Sequence, residues 1–275
     1  RRNAADKTLD ELLSDAELLL KKKDDLLRQN RFLAAQFAQI GENIAQWKRS
    51  PRFPFDGEPR DYQAEAYENW KANNYKGIFA MATGTGKTIT ALNCALEQFW
   101  ANGYYRFVVL VPTKVLVEQW DKEVKAFNFR NIILVSSSYK NWPNKMATEL
   151  HFLRQGLDRN FVIIATYSSF KKSKMRYFME KLPEDVLLIS DEMHNMGSKG
   201  YSEILANINA SQRIGLSATP QRFMDDEGTA RLEVFFDDRP EYTVTYSLGK
   251  AIQDKRLTPY YYYPLFVELN NDEFG

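Results

Sequence analysis

Seven residues between an apolar run and a helical pattern have the composition of a phosphate-binding loop. Ala82-Thr83-Gly84-Thr85-Gly86-Lys87-Thr88 follows the apolar residues 77–81 and leads into the helical pattern of residues 89–99. A glycine-rich turn at the start of a helix points backbone N–H groups at an anion. Lys87 would then reach the β- and γ-phosphates of ATP, and the Thr88 hydroxyl would bind Mg²⁺. The general pattern has a glycine where Met81 stands, so the match is incomplete at that residue.

A second polar group ends another apolar run. Asp191-Glu192-Met193-His194 comes directly after residues 186–190. Carboxylates at the end of a buried strand are costly to desolvate unless they have a partner or a function. Asp191 is placed to hold Mg²⁺, directly or through water, and Glu192 to orient and deprotonate an attacking water. The two groups together predict hydrolysis of ATP with Mg²⁺, and His194 is predicted to couple this site to neighbouring segments.

Short apolar runs recur along the chain and must position these residues. They are separated mostly by amphipathic segments of helical length, and they cover residues 77–81, 106–111, 132–135, 161–165, 186–189 and 213–216. Continuously apolar runs are typical of parallel strands that are buried on both faces. The pattern predicts an α/β fold with a doubly wound, mostly parallel sheet. Ligands of such sheets bind at the carboxyl ends of the strands, where both polar groups lie.

Three segments, in this order, resemble the motifs of superfamily 2 helicases. Residues 82–88 resemble motif I, Asp191-Glu192-Met193-His194 resembles the DEAH version of motif II, and Ser217-Ala218-Thr219-Pro220 resembles motif III. The resemblance implies a RecA-like lobe of the P-loop NTPase class that binds ATP. It also implies that Ser217, Ala218 and Thr219 couple the nucleotide state to the rest of the motor. We expect Ser217 and Thr219 to hydrogen-bond towards residues 191–194.

Upstream of the loop, Arg60-Asp61-Tyr62-Gln63 resembles the adenine-recognising motif of the same family. The resemblance implies that Gln63 reads the adenine edge. Arg60 or Tyr62 would then lend a stacking or packing face to the base.

Two further loops resemble the family motifs Ia and Ib, which hold the sugar–phosphate backbone of one nucleic-acid strand. Motif Ia is matched by Pro112-Thr113-Lys114 with the following Gln119-Trp120, and motif Ib by Thr166-Tyr167-Ser168. The resemblance implies that nucleic acid is bound by Pro112, Thr113, Lys114, Thr166 and Ser168. Hydroxyl, ammonium and backbone donors suit phosphates without reading bases.

The first fifty residues carry a different pattern. Their apolar positions are Leu9, Leu12, Ala16, Leu19, Leu26, Leu33, Phe37, Ile40, Ile44 and Trp47. With the polar Lys23 and Asn30 added, these positions follow alternating three- and four-residue steps, which is a heptad register. We predict one long amphipathic helix over residues 1–50, which packs on another domain of the parent protein or self-associates as a coiled coil. Gly41 and the proline-containing stretch should end this helix, and residues 51–59 form a linker.

Composition limits the function classes without choosing among them. The net charge is +1, from 37 basic and 36 acidic residues, so overall charge gives no argument for nucleic-acid binding. The single cysteine, Cys94, excludes an internal disulfide and a cysteine-based metal site, and it agrees with a cytoplasmic location. No apolar run approaches the roughly 20 residues that span a membrane. Both chain ends look like fragment boundaries.

These observations predict a RecA-like lobe over residues 60–264, followed by the start of a connection, residues 265–275, to a second RecA-like lobe of the same parent protein. The second lobe's motifs, including its arginine finger, have no match in this chain. Since such a finger is worth about 10³–10⁵ in rate, we expect the chain alone to be weakly active or inactive. A nucleic-acid motor is the leading hypothesis. An ATPase without a nucleic-acid substrate and a non-enzymatic interaction module are the alternatives.

The residues 251–264 and motif II resemble those of type III and type I restriction translocases, which favours DNA over RNA as the nucleic-acid partner. The pattern is compatible with unwinding and with translocation, in either direction along the strand.

Overall fold

The computed structural model describes residues 8–23, 31–54, 57–157, 159–201, 204–205, 208–259 and 263. A seven-stranded sheet lies at the centre of this described part, in the order β3-β4-β2-β5-β6-β1-β7. Every strand pair in it is parallel. The strands are β1 (Lys76–Met81), β2 (Arg106–Val111), β3 (Ile132–Val135), β4 (Phe161–Thr166), β5 (Leu187–Asp191), β6 (Gln212–Ser217) and β7 (Val244–Tyr246). The predicted doubly wound α/β fold is confirmed, with an entirely parallel sheet.

The six predicted strands are all present, with ends that differ from the prediction by at most two residues. The seventh strand, β7, was not predicted. It has three residues and pairs only with β1, at the edge of the sheet. So short a run carries too little apolar pattern to be recognised in a sequence.

Helices cover both faces of the sheet. They are α1 (Leu9–Lys21), α2 (Arg31–Arg49), α3 (Asp61–Ala72), α4 (Lys87–Asn102), α5 (Lys114–Ala126), α6 (Trp142–Arg154), α7 (Tyr167–Phe170), α8 (Ser173–Met179), α9 (Asp226–Phe236) and α10 (Leu248–Gln253). The core on one face contains residues from α3, α4, α5 and α10, including the fully buried Trp70 and Trp120. The core on the other face contains residues from α6, α7, α8 and α9, including Phe170 and Phe236.

The N-terminal segment is not one long helix. It forms α1 and α2, and an ion pair between Glu17 of α1 and Lys48 of α2 shows that the two helices lie side by side. In a continuous helix these residues would be about 46 Å apart, at 1.5 Å per residue. Gly41 does not end a helix but lies inside α2, where a Cβ atom would be 3.9 Å from Leu20. The prediction of a single heptad-patterned helix is therefore wrong, although Leu26 of that pattern lies outside the described residues.

The end of α2 and the following residues pack against the sheet domain, which consists of the seven strands and the helices α3 to α10. Asn128 donates hydrogen bonds from its side chain to the carbonyl groups of Lys48 (3.0 Å) and Ser50 (2.7 Å). The Phe53 ring meets Phe127 edge-on at 5.3 Å. The predicted linker thus begins as a docked segment.

Much of α1 remains exposed: Leu9, Leu18 and Leu19 are 53%, 55% and 51% exposed. Packing of the N-terminal arm, which consists of α1 and α2, on another domain or on a second copy stays a prediction. No helix in the described ranges is long and apolar enough to cross a membrane. The predicted connection over residues 265–275 lies outside the described residues.

Candidate nucleotide and nucleic-acid site

The loop between β1 and α4 has the backbone of an anion cradle. Gly84 and Gly86 adopt positive φ angles of +81° and +86°, which L side chains rarely adopt. Thr85 is fully buried, and its hydroxyl donates to the Ala82 carbonyl at 2.6 Å, which fixes the turn. Gly86 caps α4 without a side-chain hydrogen bond, so the first N–H groups of that helix are left for an anion. Lys87 is the first residue of α4.

The predicted ligands of the loop differ in exposure. Thr83 is exposed, and Thr88 is half-buried in the first turn of α4. The Lys87 Nζ atom lies 3.4 Å from the Met81 carbonyl oxygen, folded back along the loop. The arrangement leaves a lysine ammonium and a threonine hydroxyl beside the free helix end, as a phosphate with a bound Mg²⁺ requires.

The segment before α3 holds the loop in place. Gln63 is 3% exposed and its Oε1 accepts from the Arg60 N–H at 3.0 Å, while a Cβ atom at Gly86 would lie 3.1 Å from the Gln63 Nε2 atom. Tyr62 donates its hydroxyl to the Thr85 carbonyl at 2.6 Å and accepts a hydrogen bond from Arg60 at 3.0 Å. All three predicted adenine-site residues therefore lie at the loop.

One face of the Tyr62 ring is already covered. It stacks on Tyr246 of β7, with ring centroids 4.1 Å apart and planes 12° from parallel. A Cβ atom at Gly84 would lie 3.2 Å from Leu257. Tyr246 and Leu257, near the C-terminal end of the described residues, therefore pack against the loop of residues 82–88, called the nucleotide loop below. No local sequence signal marked either residue as part of the site.

Asp191 ends β5 and is 7% exposed. Its Oδ2 accepts from the Trp120 indole N–H at 2.8 Å, its Oδ1 accepts from the Glu192 N–H at 3.0 Å, and its backbone carbonyl accepts from the Tyr167 hydroxyl at 2.7 Å. Burial raises the pKa of the Asp191 carboxyl above its usual value, and Glu192 adds to this, while the Trp120 hydrogen bond and the Lys87 charge lower it. The charge of Lys87 acts on Asp191 because the fold brings the loop and motif II together.

Glu192 adopts a left-handed conformation, with φ +47° and ψ +54°. For a residue other than glycine such a conformation costs of order 1–3 kcal/mol and is concentrated at functional sites. Its side chain is half-buried, with Oε2 3.5 Å from the His194 Nδ1 atom. Asn195 donates to the Glu192 carbonyl at 2.8 Å. The catalytic carboxylate predicted from the sequence is thus held next to the predicted coupling histidine.

The expected contacts of motif III with motif II are not found. Ser217 is fully buried, and its Oγ atom accepts from the Thr219 N–H at 3.1 Å, within its own turn. The side-chain hydrogen bonds of the described residues include none from Ser217 or Thr219 to residues 191–194. Ala218, which lies between them, is half-buried. The Ser217 hydroxyl binds the N–H group of its own turn because the chain turns immediately after β6.

Two other features connect these motifs. The strands pair directly, with Asp191 beside Leu216. Arg222, which follows motif III, donates from its guanidinium to the His194 carbonyl and to the Asp225 carboxylate, the latter at 2.7 Å. Arg222 is a residue that the sequence could not place in the site, because its partner lies 28 residues away.

The two predicted phosphate-binding loops lie side by side, since Val111 at the end of β2 pairs with Thr166 at the end of β4. Pro112 is half-buried, Thr113 and Lys114 are exposed, and the Thr113 hydroxyl caps α5 by accepting from the Leu116 N–H at 3.3 Å.

Of the two predicted phosphate contacts in motif Ib, one is buried and the other is at the surface. Thr166 is 3% exposed, and its hydroxyl caps α7 by accepting from the Ser169 N–H at 3.2 Å, whereas Ser168 is exposed. The surface available to a phosphate in this loop is therefore at Ser168 and not at the Thr166 hydroxyl.

The donor set fits Mg²⁺ bound together with a nucleotide. Among the described residues no three His, Cys, Asp or Glu side chains form a group that could hold a metal ion. Mg²⁺ in nucleotide sites takes one or two protein side chains and completes its octahedron with phosphate oxygens and waters. Thr88 and Asp191 fit that requirement.

A family model and several curated proteins match this chain. Residues 56–222 match the family model described as type III restriction enzyme, res subunit (ResIII). A DNA 3'-5' translocase XPB2 of Sulfurisphaera tokodaii is 27% identical over 265 residues, which is 96% of this chain and 52% of the relative. A type I restriction enzyme EcoAI endonuclease subunit of Escherichia coli is 26% identical over 212 residues, 74% of this chain and 23% of the relative. The chain thus spans about half the length of the first relative and about a quarter of the length of the second.

Solved structures support the fold. A nuclease-deletion mutant of the type ISP restriction-modification enzyme LlaGI, in complex with a DNA substrate mimic, has a TM-score of 0.55 and 23% identity and covers 73% of this chain and 21% of its own. The SWI2/SNF2 ATPase core of Sulfolobus solfataricus, in complex with double-stranded DNA, has a TM-score of 0.51 and 15% identity, and the match covers 68% of this chain and 37% of that one.

Proposed function

Because the chain belongs to the family of the type III restriction enzyme res subunit, as the first RecA-like lobe of a superfamily 2 helicase, we propose that it is the ATP-binding part of a motor that moves on DNA. One observation carries this proposal. The nucleotide loop and motif II lie on the same carboxyl edge of the sheet as the exposed residues Thr113, Lys114 and Ser168. An ATP site and a phosphate-binding track on one edge suit a motor whose steps are driven by hydrolysis.

The residues of this chain divide the chemistry among them. The N–H groups of the loop from Thr83 to Gly86 and the Lys87 ammonium would bind the phosphates, and Gln63 would contact the adenine. Thr88 and Asp191 would hold Mg²⁺, which when bound neutralises charge on the β- and γ-phosphates. Glu192 orients the attacking water and accepts its proton at a carboxylate oxygen.

The track is formed by the ends of β2 and β4. Thr113, Lys114 and Ser168 contact phosphates of one strand, with the backbone at Pro112 lining the same edge. Such contacts are independent of base sequence, as a translocating motor requires. The names of the XPB2 and LlaGI relatives favour DNA over RNA.

A second RecA-like lobe of the parent protein is the partner that completes the site. Its arginine finger would stabilise the charge of the transition state, which is worth about 10³–10⁵ in rate. We therefore expect the described lobe alone to bind Mg·ATP but to hydrolyse it weakly.

The test is steady-state ATP hydrolysis by the full-length parent protein with duplex DNA, single-stranded DNA, RNA or no polymer. Stimulation by DNA that is lost in Lys87→Ala and in Glu192→Gln supports the proposal and identifies the track. Turnover that no polymer changes would instead indicate an ATPase without a nucleic-acid substrate, and the roles of Thr113, Lys114 and Ser168 would be withdrawn.

A further inference from the structure

Two buried side chains converge on Asp191 from different elements. Trp120, 1% exposed, donates its indole N–H to the carboxylate at 2.8 Å. Tyr167, 4% exposed, donates its hydroxyl to the backbone carbonyl of the same residue at 2.7 Å. One side chain thus fixes the rotation of the carboxylate and the other fixes the end of β5.

Both side chains belong to the elements that carry the proposed phosphate contacts. Trp120 lies in α5, the helix that Thr113 caps and Lys114 begins. Tyr167 stands between Thr166 and the exposed Ser168 in the motif Ib loop. Each of the two loops is therefore joined by a single rigid side chain to the residue that holds Mg²⁺.

We propose that Trp120 and Tyr167 are positioning residues that transmit nucleic-acid binding at the ends of β2 and β4 to Asp191, and thereby set how strongly DNA stimulates ATP hydrolysis. The inference rests on the proposed function, since it concerns the coupling of its two sites. A buried donor that loses its acceptor costs the full desolvation of that group. A shift of α5 or of the motif Ib loop must therefore either carry Asp191 with it or break a hydrogen bond.

The chain offers matched controls for a purely structural role. Trp70 is also fully buried, and its indole N–H donates to the Arg213 carbonyl at 2.9 Å. Tyr105 is buried, and its hydroxyl accepts from the Arg130 N–H at 2.8 Å. Trp70→Phe and Tyr105→Phe remove comparable buried hydrogen bonds without touching Asp191.

The experiment compares four variants of the full-length parent protein, Trp120→Phe, Tyr167→Phe, Trp70→Phe and Tyr105→Phe. Two quantities are measured for each: the ratio of ATP turnover with and without DNA, and the affinity for a fluorescent DNA with and without Mg·ADP. We expect Trp120→Phe and Tyr167→Phe to lower the stimulation ratio about tenfold, a typical size for a coupling between two sites. They should also abolish the effect of Mg·ADP on DNA affinity, because the same two hydrogen bonds would join nucleotide binding to DNA binding. Trp70→Phe and Tyr105→Phe should retain both.

The outcomes separate this inference from the proposed function. If DNA stimulates the wild type and both Asp191-linked variants keep its ratio, the inference is wrong and the motor stands. If all four variants lose stimulation alike, the effect is structural and the inference is also wrong. If no polymer stimulates the wild type, the proposed function is wrong, whatever the four variants do. Should Trp120→Phe fail to fold, Tyr167→Phe, which removes one oxygen atom, decides the question.

Discussion

The sheet domain and the N-terminal arm, α1 with α2, differ in how far their apolar side chains are buried. In the sheet domain the apolar side chains of seven strands are covered by helices on both faces. In the arm no residue of α1 is buried, and Leu9, Leu18 and Leu19 are each more than half exposed. A parallel sheet must be covered on both faces to fold. A helix pair can keep an apolar stripe for a surface outside the chain. The sheet domain thus buries its own apolar residues, whereas packing of the apolar side chains of α1 on another surface stays a prediction.

The largest expected difference between the two regions is in thiol accessibility. Cys94 is fully buried, and burial raises the pKa of its thiol above the usual value, so we expect no alkylation by iodoacetamide at pH 8 while the protein is folded. A cysteine introduced at the half-exposed Leu19, in a Cys94→Ala background, should react at least about 10³-fold faster, because labelling of Cys94 needs a large opening of the core. Equal labelling rates in a time course followed by mass spectrometry would mean that the lobe opens as readily as the arm.

Large side chains should show the same contrast in stability. Trp70→Ala removes a fully buried indole and should cost about 3–5 kcal/mol, whereas Leu19→Ala should change stability by no more than about 0.5 kcal/mol. Urea denaturation followed by circular dichroism measures both. A cost for Leu19→Ala close to that of Trp70→Ala would show that α1 is already buried in solution.

Catalysis should depend on one region only. Lys87→Ala removes the ammonium at the nucleotide loop and should lower ATP turnover of the parent protein about 10²–10³-fold, as expected for a preorganised electrostatic group. The matched change Lys48→Ala, at the exposed ion pair with Glu17, should leave turnover unchanged. A large loss of turnover in Lys48→Ala would make the arm part of the catalytic apparatus and contradict the division into two regions.

The smallest expected effect is a change in stability, with opposite signs for alanine substitutions at two glycines. Gly41→Ala should stabilise α2 by about 0.5–1 kcal/mol, because glycine weakens a helix interior and the new Cβ meets Leu20 at an ordinary 3.9 Å. Gly77→Ala in β1 should destabilise the lobe, since its Cβ would lie 2.6 Å from the Thr243 Oγ1 atom. Thermal unfolding of the two variants checks the signs, and destabilisation by Gly41→Ala would mean that α1 and α2 lie closer together than described.

Much of the fold and of the nucleotide site could be predicted because their signals are local. The six apolar runs are continuous, and the residues from Ala82 to Thr88 need only one turn and one helix start to form a cradle. The proposed roles of Lys87, Asp191 and Glu192 rest on residue type and on their positions just after strands. The three-residue β7 and the fold of the arm could not be predicted in this way. A heptad pattern describes which face of a helix is apolar and not whether the helix continues or turns back.

The amino-acid sequence by itself determined the order of strands and helices along the chain and the chemistry available at each strand end. Only the tertiary structure decided which of those groups meet. Trp120 and Asp191 are 71 residues apart, Tyr62 stacks on Tyr246, and Arg222 reaches His194, while the hydroxyl groups of Ser217 and Thr166 turn inward to satisfy their own turns. The physical reason is that a hydrogen bond between distant segments depends on the packing of whole elements. A local pattern records only what its own residues can offer.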